Sequence, residues 1–117
     1  MKSEELKKRT REFALNVIRL VRTFPKTKDG DIIGQLIKSA TSVGANYRSA
    51  CRAQSRAHFI SKMNIVLEEV DESQYWLEVV LEVRLAKEVE AKPLLREAGE
   101  LTAIFITSIK TARRKMC

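Results

Sequence analysis

Ile60-Ser61-Lys62-Met63-Asn64-Ile65-Val66-Leu67-Glu68-Glu69-Val70-Asp71-Glu72-Ser73-Gln74-Tyr75-Trp76-Leu77 is the stretch that decides the fold. Ile60, Met63, Leu67, Val70, Gln74 and Leu77 recur at steps of three and four, and the line continues through Leu81 to Arg84. That period places one apolar stripe along an α-helix, and no strand shows it. Ser55 stands just ahead as an N-cap, so a helix is expected over residues 56–87. From Trp76 to Leu85 apolar side chains cover most of the helix circumference, more than the core of one small bundle uses. Part of that surface, carried by Trp76, Val79, Val80 and Val83, is therefore expected to meet another subunit.

Working outward, three more stripes of the same kind appear. Phe13, Val17, Leu20 and Phe24 mark a first helix over residues 3–23, with Ser3 as its cap and Glu4 and Glu5 in the first turn, where the helix dipole favours negative charge. Phe24-Pro25 ends it, because the residue before proline is pushed out of helical geometry. Leu36, Ala40, Val43, Tyr47 and Ala50 mark a second helix over 31–53, capped by Asp29 or Asp31. Its centre, Ser39 to Ala45, is rich in small residues that let a neighbour approach, and Gly44 permits a bend. Leu94, Ala98, Leu101, Phe105, Ser108 and Ala112 mark a fourth helix over 92–114, with Pro93 in its first turn. Four helices joined by short connections predict an all-α, single-domain, up-down-up-down four-helix bundle spanning residues 1–117. A chain of 117 residues buries enough apolar surface for this without disulfide or metal staples.

The charge is uneven. The net charge is +7; residues 1–63 hold 14 Lys/Arg against 5 Asp/Glu, and residues 64–117 hold 8 against 10. Such asymmetry fits a polyanionic partner, and it equally fits attraction between the two halves. Lys7, Lys8, Arg9 and Arg11 near the start, with Arg113, Arg114 and Lys115 at the end, are expected to meet in one basic patch if the first and fourth helices are antiparallel neighbours. Arg48, Arg52 and Arg56 recur every four residues. They form either a phosphate-binding ridge or ion pairs with Glu68, Glu69, Asp71 and Glu72 on the next helix, Arg48 with Glu69 being the first choice.

Several chemistries lack their residues. His58 is the single histidine, too few for a catalytic triad or a bundle di-iron site. No metal site, cofactor or phosphate-cradling glycine loop is expected, and no enzymatic role. Cys51 lies on an apolar stripe and Cys117 is the last residue, and both are expected as free thiols of a cytoplasmic protein. Tyr47 and Trp76 are expected to pack in the core or an interface, the alternative being base stacking. No run of about 18 apolar residues offers a membrane span.

The run Gln35 to Ala50, containing Ser42-Val43-Gly44-Ala45-Asn46-Tyr47-Arg48, continues as Arg52-Ala53-Gln54-Ser55-Arg56 and then Glu69 to Leu77. Over residues 10–112 this resembles the four-helix bundle proteins of the 23S ribosomal RNA intervening-sequence family, related to the accessory protein of diversity-generating retroelements. Ser49 and His58 stand where that pattern often has acidic residues. The resemblance implies a homo-oligomer, typically a pentamer. For the retroelement branch it implies a basic surface that contacts RNA or DNA and a reverse transcriptase. Joined to the charge pattern, it predicts a non-enzymatic accessory protein that binds nucleic acid without sequence readout. A structural scaffold for a protein partner is the other reading.

Overall fold

The computed structural model describes residues 2–26 and 28–116; the expectation for Cys117 lies outside the described residues. Four helices carry the chain: α1 (Ser3–Val21), α2 (Gly30–Cys51), α3 (Arg56–Glu82) and α4 (Glu88–Arg114). α1 packs on α2, α2 on α3, α3 on α4 and α4 on α1, while the backbones of the diagonal pairs stay apart. This is the square up-down-up-down arrangement, 50 Å long and 22 × 21 Å across. At 1.5 Å per residue α3 and α4 each run about 40 Å, most of that length.

The stripes read from the sequence form the core. Phe13, Val17, Leu36, Val43, Met63, Val70, Leu77, Leu101 and Phe105 are fully buried. Tyr47 stacks on Phe105 with ring centroids 6.1 Å apart. Three polar residues are buried with them, and each returns its hydroxyl hydrogen to its own helix: Thr10 to the Leu6 carbonyl, Ser39 to that of Leu36 and Ser73 to that of Glu69. No buried side-chain polar atom among the described residues lacks a partner.

α1 and α2 approach most closely where small residues permit. A Cβ on Gly44 would stand 3.2 Å from Thr10 Oγ1 and 3.4 Å from Thr10 Cβ. Gly44 therefore serves a close crossing, and α2 runs through it without a break.

The helix ends differ from the sequence reading in instructive ways. Ser3 is the first helical residue, with Lys2 at the N-cap position. Ser55 does cap α3, its Oγ accepting from the His58 backbone N–H at 3.0 Å. α3 stops at Glu82 rather than Lys87, because the chain closes a Schellman motif with Arg84 in the left-handed region at φ 63°. The Leu85 N–H reaches the Val80 carbonyl at 2.9 Å and the Arg84 N–H reaches that of Leu81 at 3.1 Å. No glycine announces this turn. α4 starts at Glu88, ahead of the expected 92, so Pro93 lies in the second turn. The proline deprives the Val89 carbonyl of its helical donor, at a residue that is 78% exposed.

Candidate nucleic-acid interface

Alternation of direction gathers the start of α1, the end of α2, the start of α3 and the end of α4 at one end of the bundle. The sequence has an unusual feature there. Residues 32–67 and 101–116 contain no Asp or Glu, yet they carry Lys38, Arg48, Arg52, Arg56, Lys62, Lys110, Arg113, Arg114 and Lys115. Only α1 brings carboxylates to this end, in Glu4, Glu5 and Glu12. The two acid-free runs are the signal that links the middle of the chain to its end, and charge counting by halves misses it.

Three of these cations, Arg48, Arg56 and Lys115, line two sites on the surface. The first is the α1–α2 groove of about 210 Å³, lined by Lys7, Arg11 and Arg48 over a floor of Thr10, Ala14, Thr41, Gly44 and Ala45. The small floor residues keep the groove shallow, so the three cations on its walls share one strip of surface. Arg11 and Arg48 are exposed, and neither has a carboxylate partner among the described residues. Lys7 Nζ lies 3.1 Å from Glu4 Oε1, but the Glu4 side chain is 83% exposed and that pair is screened by solvent. Lys8 and Arg52 are also exposed.

The second site is an open cavity of about 810 Å³ between the end of α4 and the α2–α3 turn. Its wall includes Leu6, Tyr47, Phe59, Ile104, Thr107, Ser108 and Thr111, with Arg56 and Lys115 also lining it. Arg56 Nη1 donates to the Lys115 carbonyl at 2.9 Å, which ties the start of α3 to the end of α4. Burial first, and then a hydrogen bond with the Cys51 thiol, push the Tyr47 phenol above its ordinary pKa. Cys51 is half-buried at the edge of the core rather than within it.

Two sequence expectations need correction. Arg9 does not join the basic surface. Its Nε and Nη2 each reach a Glu97 carboxylate oxygen at 2.7 Å, and Nη2 reaches Glu100 Oε1 at 2.9 Å. This paired geometry across α1 and α4 raises the guanidinium pKa further above its ordinary value, the Glu97 hydrogen bonds being the main cause. It also seats α1 against the middle of α4. Lys7 and Arg11 line the α1–α2 groove, and Lys115 lines the cavity at the end of α4. Arg113 and Arg114 are exposed.

The expected pairing of Arg48, Arg52 and Arg56 with Glu69 and Glu72 fails on register. Counting back equally from the turn at 52–55 sets Lys38 level with Glu69, and Phe59 level with Arg48. Arg48 and Glu69 are thus about 15 Å apart along the bundle axis. Glu69 accordingly feels Lys38: burial raises its pKa, Glu72 and Glu68 add to the rise, and Lys38 opposes it.

The outer face of α3 carries the residues expected at an oligomer interface, with one exception. Val83 is 49% exposed, and Trp76 and Val79 are half-buried. With Ile65, 36% exposed, they fall on one outward stripe of helical spacing. Tyr75 borders it at 58% exposure, its ring edge-on to Trp76 at 4.9 Å. Val80 is fully buried inside the monomer, because its position turns it towards the core. His58 is exposed, and among the described residues no group of three or more His, Cys, Asp or Glu stands within reach of a common metal ion. No described helix is long and apolar enough to cross a membrane.

The comparisons agree with the fold. A solved structure from Bacteroides thetaiotaomicron, of a protein with unknown function from the S23 ribosomal protein family, is 33% identical to this chain. It superposes with a TM-score of 0.83, covering 94% of this chain and 99% of that one. No curated protein matches. The family model described as 23S rRNA-intervening sequence protein matches residues 2–107, nearly the whole bundle. With its model matched over nearly the whole bundle and the same four-helix fold in a relative, the chain belongs to the 23S rRNA-intervening sequence protein family.

Proposed function

We propose that this protein is a non-enzymatic, nucleic-acid-binding accessory factor that grips RNA or DNA phosphates with the basic end of its bundle. The observation that carries this reading is the absence of acid from residues 32–67 and 101–116, which leaves Arg48, Arg52 and Arg56 beside Lys7, Lys8 and Arg11 with little compensation. Guanidinium groups suit phosphate because they offer paired donors in one plane. Nothing in the α1–α2 groove resembles a general base or a nucleophile poised for attack: its walls are cations and its floor is small side chains. Nor does any described helix stand out as a base-reading element, so recognition is of charge and shape. The association of the family's name with 23S rRNA supports a nucleic-acid setting.

Contact with about five phosphates gives a log–log dependence of affinity on salt with a slope of about −4 to −5. Combined Lys7→Glu, Arg11→Glu and Arg48→Glu should reduce that slope to about −2 in a gel-shift titration. A wild-type protein that binds neither RNA nor DNA at low salt would refute the reading and favour a scaffold for a protein partner.

The outward stripe of Ile65, Trp76, Val79 and Val83 supports assembly with further copies of the chain, a pentamer being the expected state. Light scattering should then give a mass near five times 13.4 kDa. Val79→Glu with Val83→Glu should yield monomers, and a wild-type monomer at all concentrations would remove the proposal.

A further inference from the structure

The cavity at the α4 end is a different kind of surface from the α1–α2 groove, and charge alone does not explain it. Phe59, half-buried, and the largely buried Tyr47 give it an aromatic wall. The hydroxyls of Ser108 and Thr111 line it without a hydrogen-bond partner among the described residues. Arg56 and Lys115 line it too, and Arg56 spends only Nη1 on the Lys115 carbonyl, keeping Nε and Nη2 for another acceptor. Aromatic surface, neutral hydrogen-bonding groups and paired cations match the three parts of a nucleotide: base face, base edge and phosphate.

We infer that this cavity receives an unstacked base of a single-stranded nucleic acid, with Arg56 and Lys115 holding the adjoining phosphate. The inference rests on the nucleic-acid reading above and narrows it to strands with free bases. A duplex keeps its bases stacked inside and presents only phosphate to the same cavity. Charge alone favours the duplex, whose linear charge density is higher. A preference for single strands therefore reports the cavity rather than the basic surface.

The test compares a thymidine-rich single strand carrying one 2-aminopurine with a blunt duplex of the same length, at one salt concentration. The expected result is about tenfold tighter binding of the single strand, with a change in 2-aminopurine fluorescence on binding. Thr107→Trp, which fills the cavity from an exposed position, and Arg56→Gln should each cancel most of that preference. Thermal melting of both variants checks that the bundle is intact. Equal affinity for strand and duplex with unchanged fluorescence, while the salt slope persists, would overturn the cavity assignment and leave the basic-end reading standing. Absence of binding to either probe at low salt would overturn both.

Discussion

Replacing Arg84 with glycine should stabilise the bundle, although every other residue of the α3–α4 turn is unchanged. Arg84 holds φ at 63°, where an L side chain crowds the following carbonyl. That conformation costs a non-glycine residue roughly 1–2 kcal/mol. Glycine removes the cost but gains freedom in the unfolded chain, which returns about 0.4–1 kcal/mol. The net gain is about 0.5–1 kcal/mol. The Arg84 side chain is exposed and has no partner among the described residues, so nothing else is lost. The Schellman bonds from Leu85 to Val80 and from Arg84 to Leu81 are backbone bonds and survive. For a chain of this length the unfolding entropy is about 0.25 kcal/mol/K, so the melting temperature should rise by about 2–4 °C. Arg84→Ala is the control, since it removes the same side chain and keeps the strain; it should melt within about 1 °C of the wild type. Scanning calorimetry at fixed protein concentration separates the two variants. If alanine and glycine shift the transition equally, the left-handed turn is not what sets the energy of this cap.

Other consequences follow from the packing. Gly34→Ala and Gly99→Ala meet nothing within 4 Å and should each stabilise by about 0.5–1 kcal/mol in urea titrations, whereas Gly44→Leu drives a side chain into Thr10 and should cost more than about 2 kcal/mol. Arg9→Met breaks the bidentate contact with Glu97 and the link to Glu100; with those side chains about a quarter to a half exposed, a loss of about 1–2 kcal/mol is expected, and it should shrink in high salt. Glu69 has a raised folded-state pKa, so its ionisation opposes folding at neutral pH and the penalty is relieved as pH falls through that pKa. Glu69→Gln should therefore raise the melting temperature at pH 7, and the gain should vanish near the ordinary carboxylate pKa of 4.5. A gain that grows on acidification would contradict the sign.

How much of this was legible depends on whether a feature is periodic or relational. The four stripes were visible because helical burial writes itself into the spacing of Leu36, Ala40, Val43 and Tyr47, or of Met63, Val70 and Leu77. The Ser55 cap was visible because it is local. The end of α3 was hidden because a cap made by Arg84 carries none of the glycine that usually marks it. Pro93 misled because an exposed second turn tolerates a lost hydrogen bond as well as a first turn does. The ion pairs were hidden for a different reason. Partner choice depends on register between helices, and a shift of ten residues separates the expected Arg48–Glu69 pair from the observed proximity of Lys38 and Glu69. Arg9 was indistinguishable in sequence from Lys8 and Arg11. Only the α1–α4 contact shows that it faces Glu97.

The charge asymmetry fits two readings, a polyanionic partner or attraction between the halves, and the structure shows the second operating in one region. The acids of α3 and α4 lie in the later part of α3, from Glu68 to Glu82, and in the earlier part of α4, from Glu88 to Glu100. Those spans share one half of the antiparallel α3–α4 pair. There they meet Arg9 at 2.7 Å and act on Lys38, so attraction between the halves operates in that region. Beyond Leu101 on α4, and before Glu68 on α3, the acids stop while the cations continue. Mutual repulsion of like charges disfavours the end that carries those cations. A fold that needed only its own stability would gain by exchanging Arg48 or Arg52 for a neutral residue. The cations concentrate on the end where α1–α2 and α4 open two grooves to solvent, which is where an external polyanion would relieve the repulsion.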